Sequence, residues 1–149
     1  MATAGGYENW DMQIEDNTPK VLSEVERVVK LVLEGIGSQA EGFAKDDGPV
    51  DTGLLRNSLT WALGGKAPAI GSYKADRGKG SGKYGGKMPE DKPNQFSVYV
   101  GTNVVYAPIQ EFKDLNHTSG KAHFLKDAIA NHSSEYESLA RDIFQANLE

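Results

Sequence analysis

The stretch TPKVLSEVERVVKLVLEGIGSQAEGFA, residues 18–44, decides the architecture of this chain. Its apolar residues fall at Val21, Leu22, Val25, Val28, Val29, Val32, Ile36, Ala40 and Phe43. Steps of three and four place them on one face of a long amphipathic helix. Thr18 offers a capping hydroxyl, and Pro19 at the first helical position forfeits no needed hydrogen bond. Continuous to Ala44, the helix is roughly 37 Å long at 1.5 Å per residue. Gly35 and Gly37 each weaken it by up to ~1 kcal/mol relative to Ala, which marks a bend or a close neighbour. Asp46-Asp47-Gly48-Pro49 stops it.

Downstream of this helix the period changes. Asp51 or Thr52 is placed to cap a short turn through Arg56. From Ser58 to Leu63 the chain alternates, with Leu59, Trp61 and Leu63 on one side, the pattern of a strand. Phe96 to Val100 alternates likewise, with Phe96, Val98 and Val100 on one face. Gly101-Thr102-Asn103 turns the chain, and Val104 to Ile109 reads as a short strand or a helical turn broken by Pro108. Asp114 to Gly120 is loop. A last helix is expected from about Ala122 to Leu148, with Leu125, Ala128, Ile129, His132, Tyr136, Leu139, Ile143 and Phe144 at core spacing. Helix, strands, strands, helix is the order of an α+β fold, an antiparallel sheet packed against a long N-terminal and a C-terminal helix.

Residues 64–95 stand apart. Eight glycines fall there, with seven basic residues (Lys66, Lys74, Arg77, Lys79, Lys83, Lys87, Lys92) against three acids (Asp76, Glu90, Asp91). So few large apolar residues do not offset the chain entropy of folding. The segment reads as a long, mobile Gly/Lys-rich loop, with Tyr73 and Tyr84 isolated in it, that orders only on a partner. Residues 1–17 read as an arm, in which Trp10, Met12 and Ile14 alternate as in a short edge strand or docking segment, or as a frayed tail. Residues 18–149 form one domain.

The 149 residues carry a net charge of −5 and no cysteine. The balance argues against general nucleic-acid binding, and disulfides and thiolate metal sites are excluded. Met1 to Tyr7 lacks the basic start and apolar run of a signal peptide, and no stretch approaches the ~18 apolar residues of a membrane span. A soluble protein made in a cytoplasm is expected.

Candidate chemistry is sparse. Arg77-Gly78-Lys79-Gly80-Ser81-Gly82-Lys83 resembles a phosphate-binding loop only superficially. Arg77 stands where the first glycine belongs, and Tyr84 where a hydroxyl must meet magnesium. His117, His123 and His132 lack metal-ligand spacing. Ser58 and Ser81 sit in no nucleophile elbow. Asp46, Asp47 and Asp51 lack the alternating oxygens of a calcium loop. Tyr73, Tyr84, Phe96 and Tyr99 near lysines suggest base stacking on a single strand. A nucleic-acid-binding module using loop 64–95 is therefore the reading from another class. No catalytic residue, metal or cofactor is assigned, and the chain is not expected to be an enzyme.

Three segments carry a resemblance. They are Asp51-Thr52-Gly53-Leu54-Leu55-Arg56-Asn57-Ser58; Val98-Tyr99-Val100-Gly101 with Tyr106-Ala107 and Glu111; and Phe124-Leu125 with Ala128-Ile129. In order and spacing, over residues 18–148, they resemble the phage tail-completion, or tail-terminator, family typified by the gene 10 product of phage HK97. Lys113-Asp114, His123 and Asp127 depart from its pattern. The resemblance implies a structural virion protein at the neck, at the top of the tail, a ring subunit, commonly sixfold. Its implied partners are itself, the tail tube protein and the head–tail connector or stopper protein, with passing contact to genomic DNA and none to membrane. A head-side adaptor, a stopper or a minor capsid protein is the alternative. The implied interface or structural residues are Asp51, Thr52, Gly53, Arg56, Tyr106, Glu111 and Phe124, with Arg56 and Glu111 a candidate ion pair. Lys74, Arg77, Lys79, Lys83 and Lys87 form the implied partner-contact loop.

Overall fold

The computed structural model describes residues 15–64, 66, 71–85, 96–113 and 120–148. Trp10, Met12, Ile14, Lys87 and His117 therefore lie outside the described residues, as do most of the arm and the last part of the basic segment. The fold is α+β. Its elements are α1 (Thr18–Asp47), α2 (Leu54–Ser58), β1 (Thr60–Leu63), β2 (Ser72–Lys74), β3 (Ser81–Lys83), β4 (Val98–Gly101), α3 (Ala107–Phe112), α4 (Phe124–Ala130) and α5 (Ser133–Leu148).

Thirty residues make α1 about 45 Å long. Thr18 is its first helical residue, not its cap. Asn17 holds the cap position without a side-chain bond, and Asp16 Oδ1 accepts the Thr18 N–H at 3.0 Å. Hydrogen bonding from Thr18, through its side chain first and its N–H second, holds the Asp16 carboxyl below the ordinary range. The stop comes at Gly48, whose extended backbone donates to the Ala44 carbonyl at 2.8 Å.

Two of the three glycines in the second half of α1, Gly35 and Gly37, admit close neighbours, while Gly42 faces open space. A Cβ on Gly37 would lie 2.7 Å from Val98 Cγ2 and 2.9 Å from the Trp61 ring, so α1 rests directly on the sheet there. A Cβ on Gly35 would lie 3.0 Å from Leu139. The sheet under α1 is the antiparallel pair β1–β4, with Trp61 opposite Val100 and Leu63 opposite Val98. Leu63 and its neighbour Ala62 are both buried. Ser58 ends α2 instead of opening the strand, and Phe96 lies outside β4 and is exposed.

The single C-terminal helix expected from Ala122 is two helices. They part at Asn131-His132, where the Asn131 N–H closes on the Asp127 carbonyl at 2.9 Å. The His132 ring stacks on Phe43 of α1 at 3.5 Å between centroids, and the Tyr136 hydroxyl donates to the Ala128 carbonyl. These side-chain contacts hold α4 and α5 at separate angles, something the apolar spacing alone does not specify. α5 runs antiparallel along α1, with Tyr136 beside Phe43 and Ile143 beside Gly35.

The expectation of a structureless segment at 64–95 is corrected in its middle. β2 and β3 form a hairpin, with Tyr73 opposite Gly82. Tyr73 is buried in one core with Ala44, Leu55, Leu59, Val104, Ala107, Phe124 and Ala128. Tyr84 packs at the edge of that core, its ring 5.1 Å from that of Tyr73. One large aromatic side chain docked on an existing core supplies the burial that the composition of the segment denies it. No helix among the described residues is long and apolar enough to cross a membrane.

Candidate functional site

The three motif segments converge at the C-terminal end of α1. Asp51-Thr52-Gly53 turns the chain into α2. Gly53 adopts φ +85°, a left-handed conformation that penalises any Cβ, and a Cβ there would also strike the Asp76 carboxylate. The Thr52 carbonyl accepts the N–H groups of Asp76 at 2.7 Å and Arg77 at 3.1 Å, which seats the hairpin tip on the turn. Arg77 Nη2 donates to the Asp51 carbonyl at 2.7 Å.

α2 then grips the hairpin with its side chains. Arg56 pairs with Asp76, and Asn57 Nδ2 donates to Asp76 Oδ1 at 3.0 Å and to the Lys74 carbonyl at 2.8 Å. The Asp76 carboxyl is held below the usual range, first by Asn57 and then by the charges of Arg56 and Arg77. The Tyr84 hydroxyl closes the ring of contacts on the Asn57 carbonyl at 2.6 Å.

The second segment locks the other side. The Thr102 hydroxyl bonds the buried Ser58 hydroxyl and accepts the Val104 N–H at 3.1 Å. Asn103 accepts from the Tyr73 hydroxyl at 2.6 Å and donates to the carbonyls of Lys83 and Gly85. Pro108 does not break the next element. It lies in the first turn of α3, where a missing N–H costs nothing. α3 turns Ala107 and Glu111 inward.

Glu111 is 5% exposed. Its two carboxylate oxygens accept the N–H groups of Leu125 and Lys126, each at 2.9 Å. These are first-turn amides of α4, whose orphan donors and positive dipole end suit a carboxylate. The Glu111 carbonyl accepts the His123 N–H, and His123 takes φ 59° to bring Phe124 into the core, where it is fully buried.

Arg56 and Glu111 therefore hold different elements and are not each other's partners. The expected ion pair is replaced by Arg56–Asp76 and by the Glu111 cap. Tyr106 lies at the start of α3, and burial followed by the nearby Asp51 charge raises its hydroxyl pKa. Lys74 and Lys83 project from the outer hairpin face, opposite to Tyr73, while Lys79 is at the exposed tip. Arg77, also exposed, bonds the Asp51 carbonyl. Sequence reasoning missed Asn57, Asp76, Thr102 and Asn103. The signal available was Ser72-Tyr73-Lys74 and Ser81-Gly82-Lys83, alternating segments flanking an Asp-Arg-Gly turn.

The arrangement can position elements, and the motif groups are bonded to backbone or to one another. Among the described residues no group of three His, Cys, Asp or Glu side chains is placed to hold a metal ion. A cleft of about 430 Å³ runs beside Glu34 and Glu41 of α1 and Trp61 of β1. Near α3 the fold leaves large apolar side chains uncovered. Val105 is 94% and Phe112 75% exposed, and Ile109 lies between them. No family model, no curated protein and no solved structure matches the chain.

Proposed function

We propose that the chain is a structural subunit of a phage particle, a ring-forming tail-completion or tail-terminator protein at the head–tail junction. The observation that carries this reading is the use made of the motif residues. Gly53, Arg56, Ser58, Thr102, Glu111 and Phe124 are all engaged in turning, capping and packing one corner, and that corner presents Val105, Ile109 and Phe112 bare to solvent. A rigid corner that exposes an apolar stripe suits a subunit completed by protein neighbours. The exposed hairpin lysines Lys74, Lys79 and Lys83 favour an acidic protein surface as neighbour, since a net charge of −5 opposes strong DNA attraction.

Particles made without this protein test the reading. Filled heads and separate tails are expected, and joining is restored when the purified protein is added. Joined, infectious particles formed in its absence would overturn the proposal. A label on the protein that images at the head portal and not at the tail top would favour the head-side adaptor instead.

A further inference from the structure

The first ten residues of α1, nearly three turns, stand clear of the body. Every residue from Glu15 to Arg27 is exposed, and burial begins at Val28. The cause is the length of α5. Ile143 and Leu139 lie at Gly35 and Tyr136 at Phe43, so the antiparallel α5 reaches its end at Leu148 about level with Val28. Val21 and Leu22, 57% and 56% exposed, and Val25 continue the apolar stripe of α1 past its cover.

The second uncovered stripe lies on α3. Val104, Ala107 and Glu111 face inward, which turns Val105, Ile109 and Phe112, at steps of four and three, outward on the opposite face. α3 shares its core with Ala44, near the far end of α1. Val21 and Ala44 are 23 residues apart in one helix, roughly 35 Å. The two stripes of one chain therefore do not meet.

Their surroundings differ in charge. From Glu15 to Arg27 there are four acids (Glu15, Asp16, Glu24, Glu26) against two bases (Lys20, Arg27). The hairpin beside α3, residues 71–85, carries four bases (Lys74, Arg77, Lys79, Lys83) against Asp76. One end of the molecule is apolar and acidic, the other apolar and basic.

We propose that the α1 tip of one copy docks on the α3 stripe of a second copy, with Val21, Leu22 and Val25 against Val105, Ile109 and Phe112. This deepens the ring reading above and rests on it. Unlike patches at opposite ends make a heterologous contact, the kind that closes into a ring when the rotation allows. Tip against tip would bring acids together, whereas the tip against the end that carries the basic hairpin joins opposite charges. The two stripes expose roughly 700 Å² of apolar surface, well under the ~1,600 Å² of a standard stable interface. A lone pair is therefore weak, and a closed ring, in which every copy uses both ends, is favoured over a free dimer.

The absence of cysteine makes the contact testable by cross-linking. The full chain carrying both Leu22→Cys and Ile109→Cys, oxidised mildly at high concentration, is expected to give a ladder of dimers, trimers and higher species. A mixture of the two single variants is expected to stop at the mixed dimer. Adding Phe112→Glu, at an exposed position where the fold is indifferent, should reduce the ladder at least tenfold with unchanged thermal unfolding. Val21→Glu provides the same check from the other side. Absence of 22–109 linkage, or single variants that dimerise with themselves as readily, overturns the contact. Closed rings in imaged particle necks without a 22–109 link would keep the ring reading and overturn this contact. A ladder without any closed species would keep the contact and overturn the ring.

Discussion

Replacing Glu111 by Ala should unseat α4 without touching α1 or the sheet. The carboxylate accepts two first-turn N–H groups at 2.9 Å from a site that is only 5% exposed. A hydrogen bond to a charged group contributes about 1.5–3 kcal/mol, so two give about 3–6 kcal/mol at full burial. The space vacated by the side chain admits water to the freed amides, which moves the expectation to the lower end, about 3 kcal/mol. At roughly 2–4 °C per kcal/mol for a chain of this size, the melting temperature falls by roughly 6–12 °C. Glu111→Gln keeps one acceptor but turns its NH2 toward the other N–H, so about half the loss is expected. Thermal unfolding followed by circular dichroism reads the magnitude. Amide hydrogen exchange reads the place: Leu125 and Lys126 should lose protection first, because a seven-residue helix does not persist unaided. Wild-type exchange at those two amides in Glu111→Ala, or a melting shift under ~2 °C, would refute the assigned cap.

The grip of α2 on the hairpin makes further expectations. Arg56→Ala and Asp76→Ala should couple only weakly, since the pair is exposed, whereas Arg56→Ala and Glu111→Ala should add; a double-mutant cycle decides. Gly53→Ala should cost about 1–3 kcal/mol through its positive φ and its collision with Asp76, measured by chemical denaturation. Tyr73→Ala should cost about 3 kcal/mol as a core truncation, and deletion of the hairpin should lower stability; unchanged unfolding of both would return the segment to a passive loop. Because the Asp76 pKa is lowered from 3.8, its contribution is fully present above 3.8 and is lost as pH falls through the lower folded value. Asp76→Asn should remove that acid dependence from the exchange protection of the Ala75 N–H, which bonds Gly80 at 2.7 Å; an unaltered acid profile would discount the carboxylate.

The legible part of this protein is the part written in local periods. Val28, Val32, Ala40 and Ala44 announce α1 because a 3.6-residue repeat returns each to the same face, whatever surrounds the helix. Trp61–Leu63 and Val98–Val100 announce strands for the same reason with a period of two. The α+β class follows from their order. The Asp51–Ser58 turn was legible, but its cap was not: Asp51 or Thr52 was expected there, and Gly53 holds the position with a left-handed backbone.

Other features depend on neighbours distant in sequence. Composition argued against structure at Ser72–Lys83, and Tyr73 overrode it by reaching a core built from residues up to 55 positions downstream, as far as Ala128. The C-terminal helices part at Asn131-His132 because the His132 ring lies on Phe43, a contact invisible to the spacing of α4 and α5. Arg56 and Glu111 were expected to pair, but a charge does not name its partner, and packing brought each a different one. Val21 and Val28 show the division most plainly. They are the same residue type, on the same stripe, one heptad apart, and sequence alone treats them alike. Val28 is wholly buried and Val21 largely exposed. The helical period assigns both to one apolar face. Which of them is covered within the chain follows from where α5 ends, a matter of packing that no local pattern encodes.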